Sequence, residues 1–154
     1  MVDQTVEKYQ SKGKALNVGR KQAQCNTLLF CDDDFICTGK IEPTDALLFG
    51  LDIRLGFSSH LFKGGAIDHP RPGEYCVGID ANLFDELGGF DENFLCCGYE
   101  VIDLCHRAWL KGIEIIEHKM PLRHLSAGTK HLADPVHHTT LRNNRAYILS
   151  KEYK

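Results

Sequence analysis

The chain is expected to adopt an α/β fold, because short apolar runs of strand character are interleaved along it with capped or amphipathic runs of helical character. Glycine and proline punctuate the boundaries between them. Residues 1–25 are polar and helix-compatible, with Gly13 read as a break between a frayed leader, residues 1–12, and a helix carrying Ala15, Leu16, Val18 and Ala23. Asn26 to Cys31 is apolar between polar flanks and reads as a buried strand, although a helical turn shares that pattern. Pro43 suits a first helical turn, so Thr44 to Leu51 is expected to be helical, and Leu55 to Phe62 to be a strand. Gly64-Gly65 and His69-Pro70-Arg71-Pro72-Gly73 mark an irregular loop. Asp80 can cap a short helix that Gly88-Gly89 would stop, and a longer helix is expected from Val101 to Leu110, ending at Gly112. The alternation Ile113 to Glu117 predicts a strand, and Leu141 to Lys151 an amphipathic helix. His131, His137 and His138, interrupted by Pro135, fit a polar loop better than a second metal site.

No internal repeat or domain boundary interrupts this order, so residues 1–154 form one expected domain, large enough to remove roughly 70% of its unfolded surface from water. A hydrophobic fraction of 43% with 25% charged residues belongs to a globular chain rather than a disordered or membrane-spanning one. The net charge of -3 gives no reason to expect nucleic-acid binding. Met1 to Lys8 lacks the apolar core of a signal peptide, and no run reaches the roughly 18 apolar residues of a spanning helix, so a cytoplasmic location is expected. The 7 cysteines are odd in number and contain no CxxC pair, which favours reduced, mostly buried thiols over a disulfide framework or thiolate zinc site. Cys31, within an apolar run, reads as core filler.

Two stretches carry chemistry. Thr27-Leu28-Leu29-Phe30-Cys31-Asp32-Asp33-Asp34 ends an apolar strand on three like charges. Ligands of α/β sheets bind beyond strand carboxyl ends, and alternation would turn Asp32 and Asp34 the same way, able to share a hard cation such as Mg²⁺ or Mn²⁺. That cation would remove the repulsion; a solvated turn is the plainer reading. Farther along, Gly88-Gly89-Phe90-Asp91-Glu92-Asn93-Phe94 leads to Gly98-Tyr99-Glu100-Val101-Ile102-Asp103-Leu104-Cys105-His106-Arg107. Glu100 and Asp103, three apart, share a helix face; they could equally complement the helix dipole alone.

In their order these segments resemble the GT-A fold glycosyltransferases of glycosyltransferase family 2. Gly13-Lys14-Ala15-Leu16-Asn17-Val18-Gly19 resembles the helix before the family's metal strand, LLFCDDD its DXD strand, and GGFDENF with GYEVIDLCHR its acidic loop and helix. Pro121 to Thr129 and Leu141-Arg142-Asn143-Asn144-Arg145-Ala146-Tyr147 follow in family order, so the match covers about residues 12 to 150. The resemblance implies a partial GT-A mixed sheet flanked by helices. It also implies inverting transfer of a sugar from a nucleotide-diphosphate sugar to a hydroxyl acceptor, such as a glycan, assisted by Mn²⁺ or Mg²⁺. By position, Asp32, Asp34 and His124 would hold the metal, Asp32 and Asp33 would lie against the nucleotide-sugar, and Glu100 and Asp103 would be the catalytic carboxylates.

Two departures qualify the resemblance. Many members have Glu-Asp where this chain has Glu100-Val101, and valine cannot accept a proton; Glu100 is the expected base, with Asp103, Asp91 and Glu92 as alternatives. Only 31 residues precede Asp32, so the nucleotide-binding half is expected to be missing. A second copy or a partner chain would then supply it, and membrane association would come only through such a partner. A non-catalytic GT-A-derived binding module is the alternative. Asp32-Asp33-Asp34-Phe35-Ile36 also fits, loosely, the start of a haloacid-dehalogenase-type phosphatase, with Lys63 or Lys111 to hold phosphate. The later Gly-Asp pair which that chemistry needs does not occur in the chain.

Overall fold

The computed structural model describes residues 11–32, 35–40, 53–55, 76–96, 98–117, 121–124 and 135–153. They form a mixed α/β arrangement. Helices α1 (Lys12–Gln22), α2 (Ala81–Glu86), α3 (Glu100–Leu110) and α4 (Pro135–Ser150) accompany a four-stranded sheet in the order β1-β4-β3-β5. Its strands are β1 (Thr27–Cys31), β3 (Ile53–Leu55), β4 (Cys76–Asp80) and β5 (Ile115–Glu117). β4 runs antiparallel to both β1 and β3, whereas β3 and β5 are parallel. A separate antiparallel pair joins β2 (Phe35–Cys37) to β6 (Leu122–His124). No helix among the described residues is long and apolar enough to cross a membrane.

The core lies where β1 and β4 meet the helices. Leu28 faces Ile79 and Phe30 faces Val77 across the ladder, and this alternate set turns inward onto Phe84, Phe90 and the inner stripe of α3. That stripe is Val101, Leu104, Cys105 and Ala108, spaced at the helical period, so one face of α3 is continuous hydrocarbon. The rings of Phe30, Phe84 and Phe90 meet pairwise with centroids 4.9 to 5.2 Å apart, two of the three contacts edge to face. A smaller cluster of Phe94, Ile102 and Ile148, with Tyr147 and Tyr153 beside it, fastens α4 to the other side of α3.

Several expectations need correction. Gly13 does not break the chain: Ser11 caps α1 by accepting the Lys14 amide at 3.4 Å, and Gly13 lies buried in the first turn. β4, the strand at which the two antiparallel ladders meet, was not among the expected strands, although Val77 and Ile79 alternate as a half-buried strand should. β2 was also unexpected. Pro135 opens α4, where its missing amide costs nothing, so His137 and His138 are helical rather than in a loop. The expected helix Thr44 to Leu51, the loop from Gly64 to Gly73 and most of the strand Leu55 to Phe62 lie outside the described residues.

Gly13 is required by proximity rather than by conformation. A Cβ there would sit 3.0 Å from Phe90 Cβ and 3.1 Å from the Asp91 carbonyl oxygen. Neither neighbour can retreat, because the Asn17 side chain clamps Phe90, accepting its amide and donating to its carbonyl, each at 2.9 Å. Gly13→Ala gains about 1 kcal/mol of helix propensity but overpacks a fixed contact at a cost of about 1–3 kcal/mol. Net destabilisation of about 1 kcal/mol is expected by urea denaturation, and a more stable variant would show that the contact yields.

Candidate functional site

Asp32 leaves the end of β1 beside the start of α1, and there the Lys12 ammonium meets its Oδ1. The same Lys12 Nζ lies 3.9 Å from Glu100 Oε1, at the first residue of α3. One ammonium therefore joins two carboxylates 68 positions apart in a chain numbered continuously from Asp32 to Glu100. Asp32 is 27% exposed and Glu100 only 1%, so the first stands at the mouth of the site and the second at its floor. A lysine at the first position of a helix opposes the helix dipole, and the two anions offset that cost. At Glu100's depth an ionised carboxylate requires an opposite charge within reach, which Lys12 supplies.

Glu100 owes its position to an irregular turn. Cys96, Gly98 and Tyr99 have φ of 57°, 93° and 78°, left-handed values just before α3. Asn144 of α4 stabilises this turn from inside, donating to the carbonyls of Leu95 at 2.9 Å and Gly98 at 3.2 Å while accepting the Leu95 amide at 3.1 Å. The Lys12 amide adds a bond to the Cys96 carbonyl at 2.7 Å. Earlier in the same connection, Gly88 and Gly89, at φ 81° and 72°, close α2, and Arg107 donates to the carbonyls of Leu87 and Gly89.

The remaining acidic residues are employed differently. Asp103 is 0% exposed, and its Oδ2 accepts from Arg107 Nε at 2.8 Å while Oδ1 accepts from Lys151 Nζ and from Tyr153 Oη, the latter at 2.9 Å. Asp91 accepts from Lys151 at 2.7 Å, Tyr147 at 2.9 Å and the Asn93 amide at 2.9 Å. Burial alone would raise the Asp91 pKa, but the Lys151 ammonium and these other donors together hold it at about 2. Burial would likewise lower the Lys151 pKa, and bonds to Asp103 and Asp91 raise it instead. Burial and the neighbouring Asp103 push the Tyr153 hydroxyl up. These carboxylates tie α4 and its tail to α3. Glu92 is exposed and accepts from Asn17 at 3.0 Å.

The structure therefore brings Asp32 and Glu100 together and commits Asp103 to internal bonding. Asp33 and Asp34 lie outside the described residues, as does the His124 side chain. The backbone of His124 pairs with Phe35, the residue that follows Asp34 in sequence. β1 has an antiparallel neighbour, so a parallel-strand crevice does not locate Asp32; its meeting with Lys12 and Glu100 does. Among the described residues no three His, Cys, Asp or Glu side chains converge as a metal-binding group. Of the side chains expected to hold a divalent cation, that of Asp32 lies among the described residues, where it meets the Lys12 ammonium. Lys12 was overlooked as part of the leader; the signal was Ser11, an N-cap residue that places Lys12 at the first helical position. Comparison of the sequence with protein-family models and with curated proteins returns no match.

The Lys151 cluster generates a pH prediction with a definite sign. A depressed carboxyl pKa adds stability above its unfolded value, 3.8, that is lost as pH falls through about 2. The raised lysine adds stability below 10.5 that is lost only as pH climbs through its elevated value. Lys151→Met, which strands the buried Asp103 carboxylate with fewer donors, should cost about 3 kcal/mol near neutrality. The gap between variant and parent in denaturant midpoint should shrink as pH falls from 4 toward 2, and a gap independent of pH would refute the assignment.

Proposed function

We propose that this chain carries the metal and acceptor side of a GT-A glycosyltransferase similar to family 2, passing a sugar with inversion from a nucleotide-diphosphate donor to an acceptor hydroxyl. The observation that carries this reading is the shared Lys12 contact, which joins the end of the aspartate strand to the head of the acidic helix. Those are the two segments on which the resemblance rests.

In this reading Glu100 is the general base. It sits at the start of α3 within reach of Lys12, where it would accept the acceptor proton as the new bond forms. Val101, the departure from the family pattern, packs into the main core, about 100° around the helix from Glu100. Asp103 supports the helix through Arg107, Lys151 and Tyr153 and leaves the proton transfer to Glu100. Asp32, Asp34 and His124 would hold Mn²⁺ or Mg²⁺, with Asp32 and Asp33 toward the donor diphosphate. The cation would supply neutralisation of the charge that develops on the departing diphosphate. Lys12 keeps Asp32 and Glu100 at one place and limits their mutual repulsion.

The test is transfer or donor hydrolysis with Mn²⁺ across a panel of uridine and guanosine diphosphate sugars, together with calorimetry of Mn²⁺ and nucleoside diphosphate. Glu100→Gln should lower turnover on the order of 10²–10⁴-fold while nucleotide binding persists. Asp32→Asn should weaken metal-dependent nucleotide binding. Undiminished turnover in Glu100→Gln removes the base assignment. Metal-dependent binding without transfer by the parent chain points to a binding module.

A further inference from the structure

Asn144 is buried in α4, and its carboxamide bonds the backbone of the segment that leads into α3. Its Oδ1 accepts the Leu95 amide, and its Nδ2 donates to the carbonyls of Leu95 and Gly98. Asparagine combines this acceptor and these donors at this length; aspartate lacks the donors, and glutamine is one methylene longer. The segment needs such a holder. Leu95 is 53% exposed, so burial of its side chain does little to fix it. Cys96 and Tyr99 take left-handed φ values, which residues bearing a Cβ enter at a steric cost. The Lys12 amide bonds the intervening Cys96 carbonyl, while the Lys12 ammonium lies 3.9 Å from Glu100 Oε1. Glu100 follows Gly98 by two residues, so what fixes the Gly98 carbonyl also fixes the head of the helix.

We propose that Asn144 is the positioning residue of the candidate site, holding this turn so that Glu100 meets Lys12. Its carboxamide acts through the backbone and touches neither carboxylate of the pair that Lys12 joins. That Glu100 is thereby aimed at an acceptor proton rests on the function proposed above; the holding of the turn does not. Without the carboxamide, the left-handed residues relax toward commoner backbone angles and the first turn of α3 shifts away from Lys12. A base displaced by about 1 Å can cost on the order of 10²-fold in rate, because the reacting atoms no longer meet in line.

The test compares Asn144→Ala in the full chain with two controls. Asn143→Ala removes the exposed asparagine next to it, and Ile148→Val loosens the packing of α4 against α3 without touching the carboxamide. Three quantities are measured: hydrogen exchange at the Leu95 amide of the parent, the Glu100 carboxyl-carbon resonance, identified by its loss in Glu100→Gln, and transfer kinetics. The parent Leu95 amide should exchange at least about 10²-fold more slowly than an unprotected amide. Asn144→Ala should move the Glu100 resonance and lower kcat on the order of 10- to 10²-fold, with KM changed less than about twofold. Neither control should do either. Asn144→Asp, which keeps the acceptor and loses the donors, should move the resonance as well. A freely exchanging Leu95 amide in the parent, which no variant is needed to see, would overturn the proposal. So would an unmoved Glu100 resonance in either folded Asn144 variant, or an unchanged kcat in Asn144→Ala of an active chain. A resonance that moves in a chain without transfer activity supports the positioning and removes the function proposed above.

Discussion

A carboxylate with no exposed surface must be neutralised where it lies, and Asp103 is the point at which this chain meets that demand. Its partners come from one turn further along its own helix and from the segment after α4. The charge therefore ties two separate parts of the chain together. Lys151 extends the arrangement to Asp91, and its ammonium also stands 5.3 to 5.6 Å from the ring centres of Phe94, Tyr147 and Tyr153. Charge and aromatic packing thus converge on the same tail.

The candidate site inherits its geometry from this scaffold. Glu100 begins the helix that Asp103 anchors, one turn later, and the connection leading into that helix has no regular structure to satisfy its backbone. Side chains do so instead. Asn17 takes the amide and carbonyl of Phe90 as a neighbouring strand would, and Asn144 does the same for the turn from Leu95 to Gly98. With both halves of the connection fixed, Lys12 can meet Asp32 and Glu100 without either carboxylate having to search for it.

Much of this was legible in the residues because it is local. The Asp80 cap, the glycines after α2, the stripe on α3 and the stop at Gly112 follow from side chains acting within a turn or two of themselves. β1 and β5 declared themselves by apolar runs and alternation. β4 was harder, since Gly78 interrupts a five-residue strand whose value lies in its two neighbours rather than in its own composition. β2, at three residues, is defined only by its partner β6. At the site, the acidic residues were conspicuous but their division of labour was not. Nothing near Asp103 announces Lys151 or Tyr153, 48 and 50 positions away, and so its structural commitment could not be separated from the different surroundings of Glu100. Lys12 was hidden by a glycine that looked like a break and is instead a close contact with Phe90.

The order of these partners along the chain has a consequence for biogenesis. During synthesis α3 leaves the ribosome carrying Asp103 well before Lys151 and Tyr153 exist, so nascent α3 holds an anion that only Arg107 can offset. Its hydrocarbon stripe can engage β1 and β4 at that stage, but its other flank stays open until the late segment arrives. Closure of this flank thereby waits for Lys151 and Tyr153 to be made.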